Sequence, residues 1–445
     1  MKWLVGLLLI PAMGMAQNTA PKLLTLEQAV KLSLENNKQL RMDKARVEGA
    51  LARVKQAEEK RLPELSASGT VMMLNNPTVS MKGGSSGGGG GTTPPTTAEK
   101  KFEVNPALIA NVSASVPIYT GGQIKYGIQS AQFLAEATRL DATVNEQAVI
   151  QNSVQAYVNL YKASQAVRVV AENLADEQQR VKDFTNLESQ GLLARNDLMK
   201  ASLQASNVEL ALLEAKSNLQ VASTNMNIML GLPEYQSLVV DTTNFKIYEN
   251  NKSLAEWEDI ALTKRVEFAS NKQRQKAADA QINSIKGSML PSLSASGGYF
   301  TADVKDLMSI TNAVNVGVGL KYNVSSLWKT KAKISEASAQ KNELVAAGAL
   351  LDDHIRMQLS KAYEDYLLSV RKIDVYNIAV EQAQENYRIT NNKYKNDLAT
   401  LTDLLDADLG RLRANLNKAN ANADVSVAYA NLLQAAGILE QQIFK

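Results

Sequence analysis

The apolar residues between Leu198 and Met229 recur at alternating intervals of three and four positions over about nine helical turns. This spacing predicts a helix whose apolar seam repeats every 3.5 residues and packs against a neighbour as in a coiled coil. Asp197 lies at the head of this helix, where a side chain can cap its first turn. An ordinary long core helix would show the same pattern over this stretch alone. The seam positions are Leu198, Ala201, Ala205, Val208, Leu212, Ala215, Leu219, Ala222, Met226 and Met229.

The same pattern occurs twice along the chain. Thr402–Leu404 repeats Asn196–Leu198 with an offset of 206 residues, and Leu290–Gly297 repeats Leu62–Gly69 with an offset of 228 residues. These matches indicate a tandem duplication, and internal repeats decide the architecture before any other feature. Each unit has about 200 residues, which is too long for a solenoid module. The difference of 22 residues between the two offsets places extra length in one loop of the first half.

Each half also contains two runs in which apolar residues alternate with small or polar ones, as in β-strands. The runs predict β-hairpins over residues 64–117 and 292–323, the first of them with a long glycine-rich tip. Each strand has about ten residues, a length that crosses a bilayer when the strand is tilted. A soluble sheet with one wet face would show the same alternation. However, four strands cannot close a membrane barrel, so strands that span a membrane require several chains to share one barrel.

Helical periodicity fills the remainder of both halves. The two longest predicted helices would each extend for about 100 Å, which no compact domain needs. The sequence predicts a signal peptide at 1–16, a first repeat at 17–233, a linking segment at 234–253 and a second repeat at 254–445. The first repeat would contain a helix from Leu26 to about Arg61, the hairpin 64–117, a long helix 123–187 and a helix 198–230. The second would contain a helix Leu254–Lys286, the hairpin 292–323, a long helix 327–395 and a helix 402–439.

Composition excludes several functional classes. The N-terminus has the charge, short apolar run and small residues of a secretory signal peptide, and no later run of about 20 apolar residues predicts a membrane helix.

The chain has no cysteine, which excludes disulfides and thiolate chemistry. Its net charge of +3 does not indicate a basic surface for binding nucleic acid. The single histidine, His354, lies in a predicted helix without suitably spaced ligands or triad partners. We therefore expect neither an enzyme nor a bound metal or other cofactor.

Over its whole mature length the chain resembles the TolC-like outer-membrane efflux proteins. Each half has the family's order of helix, hairpin, long helix, turn and helix. The family's helix-turn motif, Thr-x-x-Asp-x-Leu-x-Ala, is matched by Thr400–Ala407 and more weakly by 191–201. Its strand-to-helix motif, Pro-aromatic-x-Gly-Gly, resembles Pro117–Gly122, whereas the second copy, 323–328, lacks the proline and both glycines.

This resemblance implies a mainly α fold with membrane β-structure. Long antiparallel helical hairpins would form an α-barrel in the periplasm, and four strands per chain would contribute to a trimeric 12-stranded β-barrel in the outer membrane. It further implies a homotrimer that contacts outer-membrane lipid, a periplasmic adaptor protein and an inner-membrane pump of the RND, ABC or MFS class. The function implied is an outer-membrane channel for drugs or other exported substrates.

The resemblance also implies roles for individual residues. Asp403 and Asp406 match the acidic positions that line the channel constriction, although Asp403 has the alternative role of a helix cap, and Asp197 could play the same role. Asp197 and Tyr394 match a latch that holds the tip closed through a hydroxyl–carboxylate bond. The family's latch arginine falls on Ala399, so this part of the latch is missing. The adaptor would contact the tip at Gly191, Leu192, Leu398 and Ala399, and Pro117, Gly121 and Gly122 would form the strand-to-helix hinge.

A second hypothesis assigns the protein to a different functional class. A periplasmic or surface coiled-coil scaffold would also need long helices with apolar seams, but it would conduct nothing. The paired strand hairpins argue against this reading, because a tethering scaffold has no need of strands with the length of a membrane span. Channel conductance distinguishes the two.

Overall fold

The computed structural model describes residues 22–75, 104–241, 252–304 and 308–443. The predicted signal peptide and most of the glycine-rich tip lie outside these ranges. Strands and helices follow one another in nearly the same order in both halves. Their bounds are β1 Lys22–Leu24, α1 Leu26–Asn36, α2 Lys38–Glu59, β2 Glu64–Asn75, β3 Val104–Tyr119, α3 Gln123–Ser189, α4 Arg195–Leu230, β4 Leu238–Val240, α5 Leu254–Lys264, α6 Val266–Gly287, β5 Ser292–Val304, β6 Met308–Lys321, α7 Ser326–Lys395, α8 Leu401–Ala435 and α9 Leu439–Ile443.

The chain divides into two compact units, and both halves of the sequence contribute to each. The helical unit contains the described parts of residues 1–46, 139–270 and 347–445. The sheet unit contains those of residues 47–138 and 271–346. None of the described helices combines the length and the hydropathy that a membrane-spanning helix requires.

The two longest helices, α3 with 67 residues and α7 with 70 residues, run without interruption. The apolar seam of α4 is buried as its spacing predicts, with Ala201, Val208 and Met226 at most 4% exposed. Alanine at such positions removes side-chain bulk, so the backbone of a neighbouring helix can approach closely.

The helices at the start of each half are broken, although we predicted continuous helices from Leu26 to Arg61 and from Leu254 to Lys286. Asn37 and Arg265, which are 228 residues apart, adopt extended backbone conformations with ψ of 124° and 117°. The Asn37 side chain then accepts hydrogen bonds from the N–H groups of Gln39 and Leu40, at 2.8 and 3.2 Å, and so caps the next helix. Arg265 donates instead to the carbonyl oxygens of Gln434 and Ala435, at 3.2 and 3.3 Å.

The last long helix is shorter than predicted, because it ends at Ala435 rather than at Leu439. Gly437 has φ of +75°, a left-handed conformation that glycine adopts without a steric cost. The N–H of Ile438 then donates to the carbonyl oxygen of Leu433 at 2.9 Å, which closes a Schellman-type end. Gly231 ends α4 in the same conformation, with φ of +70°, at the equivalent position of the first half.

In the helical unit, the buried Tyr157 ties the first described strand to the segment between the two halves. β1 and β4 pair in parallel, with Leu23 opposite Val239. The Tyr157 hydroxyl contacts the carbonyl oxygens of Leu24 and Asp241, each at 3.0 Å. Two neighbouring apolar clusters lie in this unit, one around Tyr157 and Leu160 and a larger one around α5, α7 and α8.

The sheet unit contains one antiparallel sheet with the strand order β2-β3-β5-β6. Both predicted hairpins are present, and β3 pairs with β5 to join them. Among the described strands none pairs with the outer edge of β2 or of β6. One face carries large apolar side chains that are exposed in the single chain. The opposite face is mostly small and polar where the strands adjoin the helices, with Ser66 Oγ lying 2.9 Å from Ser113 Oγ. The exposed apolar residues of the first face are Leu65, Val71, Met73, Leu108, Val112, Tyr299, Val314, Val316, Val318 and Leu320.

The chain passes from β3 to α3 through Gly121 and Gly122, which have φ of +63° and +87°. A Cβ atom on Gly121 would lie 2.2 Å from the carbonyl oxygen of Gly287, so only glycine fits at this position. The strand pairing shifts register just before this turn, between Pro117 and Tyr119. The second copy of the turn uses a different device, since both the N–H and the hydroxyl of Ser326 donate to the carbonyl oxygen of Asn323, at 2.9 and 2.7 Å.

Candidate functional site

The two turns of the helical unit, between α3 and α4 and between α7 and α8, have the same backbone geometry. Gly191 and Asp397 are equivalent in the duplication and have φ of +73° and +59°. In each turn the next residue donates its N–H five residues back, from Leu192 to Leu187 at 2.9 Å and from Leu398 to Lys393 at 2.8 Å. These are Schellman ends, which satisfy carbonyl groups that a helix leaves unpaired. The side chains of Leu192 and Leu398 remain 70% and 75% exposed.

The helices after the two turns begin differently. Thr400 caps α8, and Asp403 returns the interaction, since the Thr400 N–H donates to the Asp403 carboxylate at 2.9 Å while the Asp403 N–H donates to the Thr400 hydroxyl at 3.2 Å. These hydrogen bonds from Thr400 hold the pKa of Asp403 below its ordinary value. The corresponding cap position of α4 is Ala194, which has no side-chain hydrogen bond. Our prediction that Asp197 caps α4 is therefore wrong, because Asp197 is the third residue inside the helix and lacks a hydroxyl partner.

The predicted constriction residues, Asp403 and Asp406, lie in the first two turns of α8, and both are exposed. They are three positions apart and therefore lie on the same side of the helix. The structure shows Asp403 in its alternative role, as part of a helix cap. That Asp403 and Asp406 line a constriction stays a prediction, because a constriction needs symmetry-related copies of the chain.

The predicted latch residues, Asp197 and Tyr394, contribute to one cavity of about 1080 Å³ lined by residues of both turns. The structure gives no hydrogen bond between these two described side chains. Asp197 instead pairs with Lys200 at 3.4 Å, and the Tyr394 ring packs against Phe184 with ring centroids 6.0 Å apart. Burial, followed by the negative charge of Asp197, raises the pKa of the Tyr394 hydroxyl. The two residues are thus electrostatically coupled, while the predicted hydroxyl–carboxylate bond is not formed within the chain.

A buried ionic cluster beside this cavity connects α3, α7 and α8. Arg180 of α3 donates to Asp408 of α8 at 2.9 Å, to the Tyr387 hydroxyl of α7 at 3.1 Å, and to Glu177 of its own helix at 2.9 Å. The side chains of Arg180, Glu177 and Asp408 are only 9%, 1% and 2% exposed. Because a buried charge needs partners to offset its loss of hydration, this arginine holds the first helical hairpin to the second.

A second arginine completes the cluster from the opposite side. Arg411 contacts Asp408 at 2.8 Å and Asp176 at 2.9 Å, and its guanidinium lies 4.2 Å from the centre of the Tyr387 ring. A cation over an aromatic face adds attraction, more so where water is excluded. Asp408 therefore accepts from two arginines, which belong to different helical hairpins. We define the ionic cluster as Asp176, Glu177, Arg180, Tyr387, Asp408 and Arg411.

The protonation of the ionic cluster is strongly perturbed at its two buried carboxyl groups. Burial, together with a hydrogen bond to Asp408, raises the pKa of Glu177 to about 7. Burial also acts to raise the pKa of Asp408, but hydrogen bonds from Glu177 and Arg180 and the charge of Arg411 outweigh it and hold this pKa below its ordinary value.

The ionic cluster was not predicted from the sequence, although the sequence contains one signal for it. Glu177 and Arg180, like Asp408 and Arg411, are acid–arginine pairs three positions apart on predicted helices. Asp408 also directly follows Ala407 in the otherwise apolar seam of α8. Such pairs are common on solvated helix faces. Only the three-dimensional arrangement shows that these two meet in the interior.

His354, the other residue considered for chemistry, is exposed on α7, with Nε2 lying 2.8 Å from the amide nitrogen of Gln358. Within the described residues, no three histidine or carboxylate side chains are grouped to hold a metal ion.

Comparison with known proteins identifies the family. The profile of the outer membrane efflux protein family matches residues 29–232 and 257–438. The outer membrane efflux protein BepC of Brucella suis is 22% identical over 323 residues, which cover 72% of this chain and 70% of BepC. The outer membrane protein TolC of Vibrio cholerae is 24% identical over 329 residues, which cover 71% of this chain and 73% of TolC.

Comparison with solved structures tests the fold separately. The CmeC outer membrane channel of Campylobacter jejuni superposes with a TM-score of 0.78 at 16% identity, covering 93% of this chain and 86% of CmeC. At this level of identity the likeness shows the fold alone, and it confirms the TolC-like architecture of long helical hairpins and strands that we predicted. Together with the profile match to both repeats, it leads to one conclusion: this chain belongs to the outer membrane efflux protein family.

Proposed function

We propose that this protein is the outer-membrane channel of a tripartite efflux or secretion system. It would receive drugs or other exported substrates from a periplasmic adaptor and an inner-membrane pump of the RND, ABC or MFS class, and release them outside the cell. Its role is transport rather than catalysis. The observation that carries the proposal is the four-stranded sheet, which has an exposed apolar face and two unpaired outer edges among the described strands.

Such a sheet is unsuited to water as a single chain. Large apolar side chains on one face favour burial at roughly 25 cal/mol per Å² of apolar surface, and unpaired edge strands invite pairing with other chains. In a membrane, lipid covers the exposed apolar face. An open edge strand is still unfavourable there, because no water is present to bond its N–H and C=O groups. Pairing of β2 of one copy with β6 of the next satisfies both edges. Three copies then supply twelve strands, an even number within the range of known membrane barrels.

The helical unit supports the same assembly. Apolar side chains of α4 and α7 that are more than half exposed in the single chain recur along both helices. In a homotrimer these residues would pack against neighbouring copies and form a helical tube in the periplasm. The residues concerned are Met199, Leu203, Leu210, Leu213, Val221 and Ile228 of α4, and Leu350, Met357, Leu368, Val375 and Ile378 of α7.

At the turns, threefold symmetry would bring several copies of Asp403 and Asp406 into a ring at the channel constriction. A ring of carboxylates favours cations. Asp406 is the cleaner position to test, because Asp403 also stabilises its helix as part of a cap. We expect Asp406→Asn to reduce cation selectivity in single-channel recordings, whereas Asp353→Asn, an exposed carboxylate on α7, leaves it unchanged. Unaltered selectivity in Asp406→Asn would remove Asp406 from the constriction.

The remaining parts of the turns have proposed roles in gating. Asp197 and Tyr394 would act in the latch, and Gly191, Leu192, Leu398 and Ala399 would meet the adaptor, since the exposed Leu192 and Leu398 present apolar side chains at the same point of both turns. Pro117, Gly121 and Gly122 would set the angle between strand and helix. We expect Tyr394→Phe to raise the leak conductance of the closed channel, because it removes the hydroxyl that would bond to an Asp197 carboxylate in the closed assembly. Tyr376→Phe on the same helix is the matched control, and equal leak in both variants would exclude Tyr394 from the latch.

The decisive experiment is reconstitution. The mature protein, purified in detergent, is expected to be a trimer by light scattering and to form channels in planar bilayers. A non-conducting scaffold would give long-lived helical oligomers without conductance. A monomer that stays soluble without detergent would contradict both the shared barrel and the channel.

A further inference from the structure

Positive charge is concentrated where the four strands of the sheet unit adjoin the helices. We define the basic collar as residues 53–64, 119–130, 281–292 and 321–333, which are the strand ends, the connecting segments and about two turns of each adjoining helix. The collar contains ten lysines or arginines and three glutamates, a balance of +7 in a chain whose net charge is +3. Its cations are Arg53, Lys55, Lys60, Arg61, Lys125, Lys286, Lys321, Lys329, Lys331 and Lys333.

These cations are available to an external anion. All ten are exposed in the single chain. Within the described residues none of them forms an ion pair with a carboxylate, whereas Arg180 and Arg411 of the helical unit are both paired. Like charges gathered at one end of a sheet repel one another, and a bound anion offsets that repulsion.

The cations are concentrated beside the two outer edge strands. Eight of the ten belong to the segments 53–61 and 321–333, which precede β2 and follow the body of β6. All three pairings of the sheet are antiparallel, so β2 begins and β6 ends at the same end of the sheet. Pairing of β2 of one copy with β6 of the next therefore places two groups of like charge side by side at each seam between copies.

One cation of the collar faces away from this group. Lys321 and Glu64 follow and precede Leu320 and Leu65 of the apolar face, so they lie on the opposite, polar face of the sheet. Across a seam they can pair with each other. The remaining cations of the two connections then have no acidic group of opposite charge in equal number.

Exposed aromatic side chains accompany the cations. Trp328, near the start of α7, is 60% exposed, although Ser326 and Thr330 on either side of it are buried. Lys331 follows Trp328 by three positions and therefore shares its side of the helix. Tyr322, directly after β6, is exposed as well. Tryptophan and tyrosine are enriched where a membrane protein meets the boundary between lipid tails and head groups, so these side chains support a position of the collar at head-group level.

We propose that the basic collar binds the phosphate groups of anionic phospholipids in the leaflet of the outer membrane that faces the periplasm. This inference rests on the proposed function, which puts the apolar face of the sheet in lipid and the helices in the periplasm. Each site would combine Trp328 and Lys331 of one copy with Lys60 and Arg61 of the next. A lipid fits better than a soluble anion, because the site adjoins the apolar face that lipid tails would cover, and basic side chains attract an anionic membrane surface.

The test uses the fluorescence of Trp328 in the full-length mature protein, reconstituted into phosphatidylcholine vesicles. A minor fraction of the lipid carries bromine, which quenches a tryptophan that it contacts, and this fraction is either phosphatidylglycerol or phosphatidylcholine. Trp257, the other tryptophan among the described residues, is buried in the helical unit and gives a constant background. The brominated phosphatidylglycerol should quench Trp328 at a much lower fraction than the brominated phosphatidylcholine.

The collar variant combines Lys60→Gln, Arg61→Gln and Lys331→Gln. Each basic side chain near an anionic membrane surface is worth about fivefold in binding, so the preference for phosphatidylglycerol should fall by on the order of 100-fold, towards unity. The matched control combines Lys182→Gln and Lys216→Gln, which are exposed on α3 and α4, with Lys418→Gln on α8. It removes the same charge from the helical unit and should keep the preference of the unaltered protein.

Ionic strength provides a second measurement that does not depend on the folding of a variant. Added salt should weaken the preference of the unaltered protein, because exposed charges are screened over about 10 Å at 0.1 M salt. A preference that salt leaves unchanged would contradict a charged site. Thermal melting of the collar variant in detergent verifies that it folds.

Equal quenching by the two lipids in a conducting trimer, or an unchanged preference in the folded collar variant, would overturn the proposal. Binding of purified peptidoglycan that the collar variant loses, without any preference between the lipids, would also overturn it, since the collar would then serve a cell-wall polymer. Absence of both trimers and conductance in the unaltered protein would instead contradict the proposed function itself.

Discussion

The two helix turns of the helical unit descend from one duplicated sequence, and their differences separate what the fold requires from what each copy added. Both keep the Schellman backbone, with Gly191 in one turn and Asp397 in the other at positive φ. Only the second has a capping box, because Thr400 is replaced by Ala194 in the first. The first copy contributes instead Arg180 and Glu177, which tie it to the second. The two turns thus share their backbone conformation, whereas the capping box and the buried ion pairs each involve side chains that only one copy has.

The largest expected effect concerns the asymmetric ionic cluster. Arg180→Met leaves Glu177 and Asp408 buried without their cation, and loss of one partner of a buried ion pair costs about 3–5 kcal/mol. We expect a clear fall in melting temperature and a marked rise in leak conductance. The equivalent position of the second half is Asn386, which is exposed, and Asn386→Met should change neither quantity. Similar effects of the two substitutions would contradict the asymmetry.

A comparable contrast exists at the turns from strand to helix. Gly121→Ala introduces a Cβ atom 2.2 Å from the carbonyl oxygen of Gly287 at a residue with positive φ. Strain of this kind, with the clash, should cost about 3 kcal/mol and reduce the yield of folded protein. Leu327 occupies the equivalent position in the second half and is 40% exposed. Leu327→Ala should be tolerated, and thermal melting of both variants measures the difference.

A smaller effect is expected from exchanging the caps. Thr400→Ala removes a capping box and should lower the free energy of unfolding by about 1 kcal/mol. Ala194→Thr should stabilise α4 by a similar amount, because Asp197 already lies three residues later, where a capping box needs an acid. Chemical denaturation in detergent measures both changes. Destabilisation by Ala194→Thr would show that this cap position has another constraint.

The smallest effect is expected at the turn residues with positive φ. Asp397→Gly should relieve backbone strain but increase the freedom of the unfolded chain, so we expect a net change within about 0.5 kcal/mol. Gly191→Asp should be destabilising by about 1 kcal/mol, since it adds the strain without a compensating contact near the turn. Melting temperatures of the pair give the comparison.

Much of this fold could be predicted from the sequence because it depends on periodicity. The seam of α4 and the alternation in the four strands each depend on side chains within one element, which sequence spacing records. The breaks at Asn37 and Arg265 were missed, because an asparagine or an arginine inside an apolar repeat gives no strong stop signal. Their offset of 228 residues, equal to that of the repeated strands, is nevertheless a sign of shared backbone geometry.

The site was less predictable, for a physical reason. Asp403 and Asp197 could be placed at the turns by their motifs, but the cap of Asp403 depends on Thr400, and the failure of Asp197 to act as one depends on Ala194. The ionic cluster depends on contacts between residues that are more than 200 positions apart, as between Arg180 and Asp408. Spacing within one helix cannot show which charged pairs meet those of another.

The central claim, that separate copies join their sheets edge to edge, can be tested directly by disulfide cross-linking, because the chain contains no cysteine. Ser68→Cys on β2 is combined in turn with Asn315→Cys, Gly317→Cys or Gly319→Cys on β6, which lies at the opposite edge of the same sheet. Two strands separate these edges, so a disulfide within one flat sheet would be too long. We predict that one combination yields covalent trimers in outer-membrane fractions and nothing larger. Cross-linked monomers only, or an open ladder beyond three chains, would contradict the shared barrel.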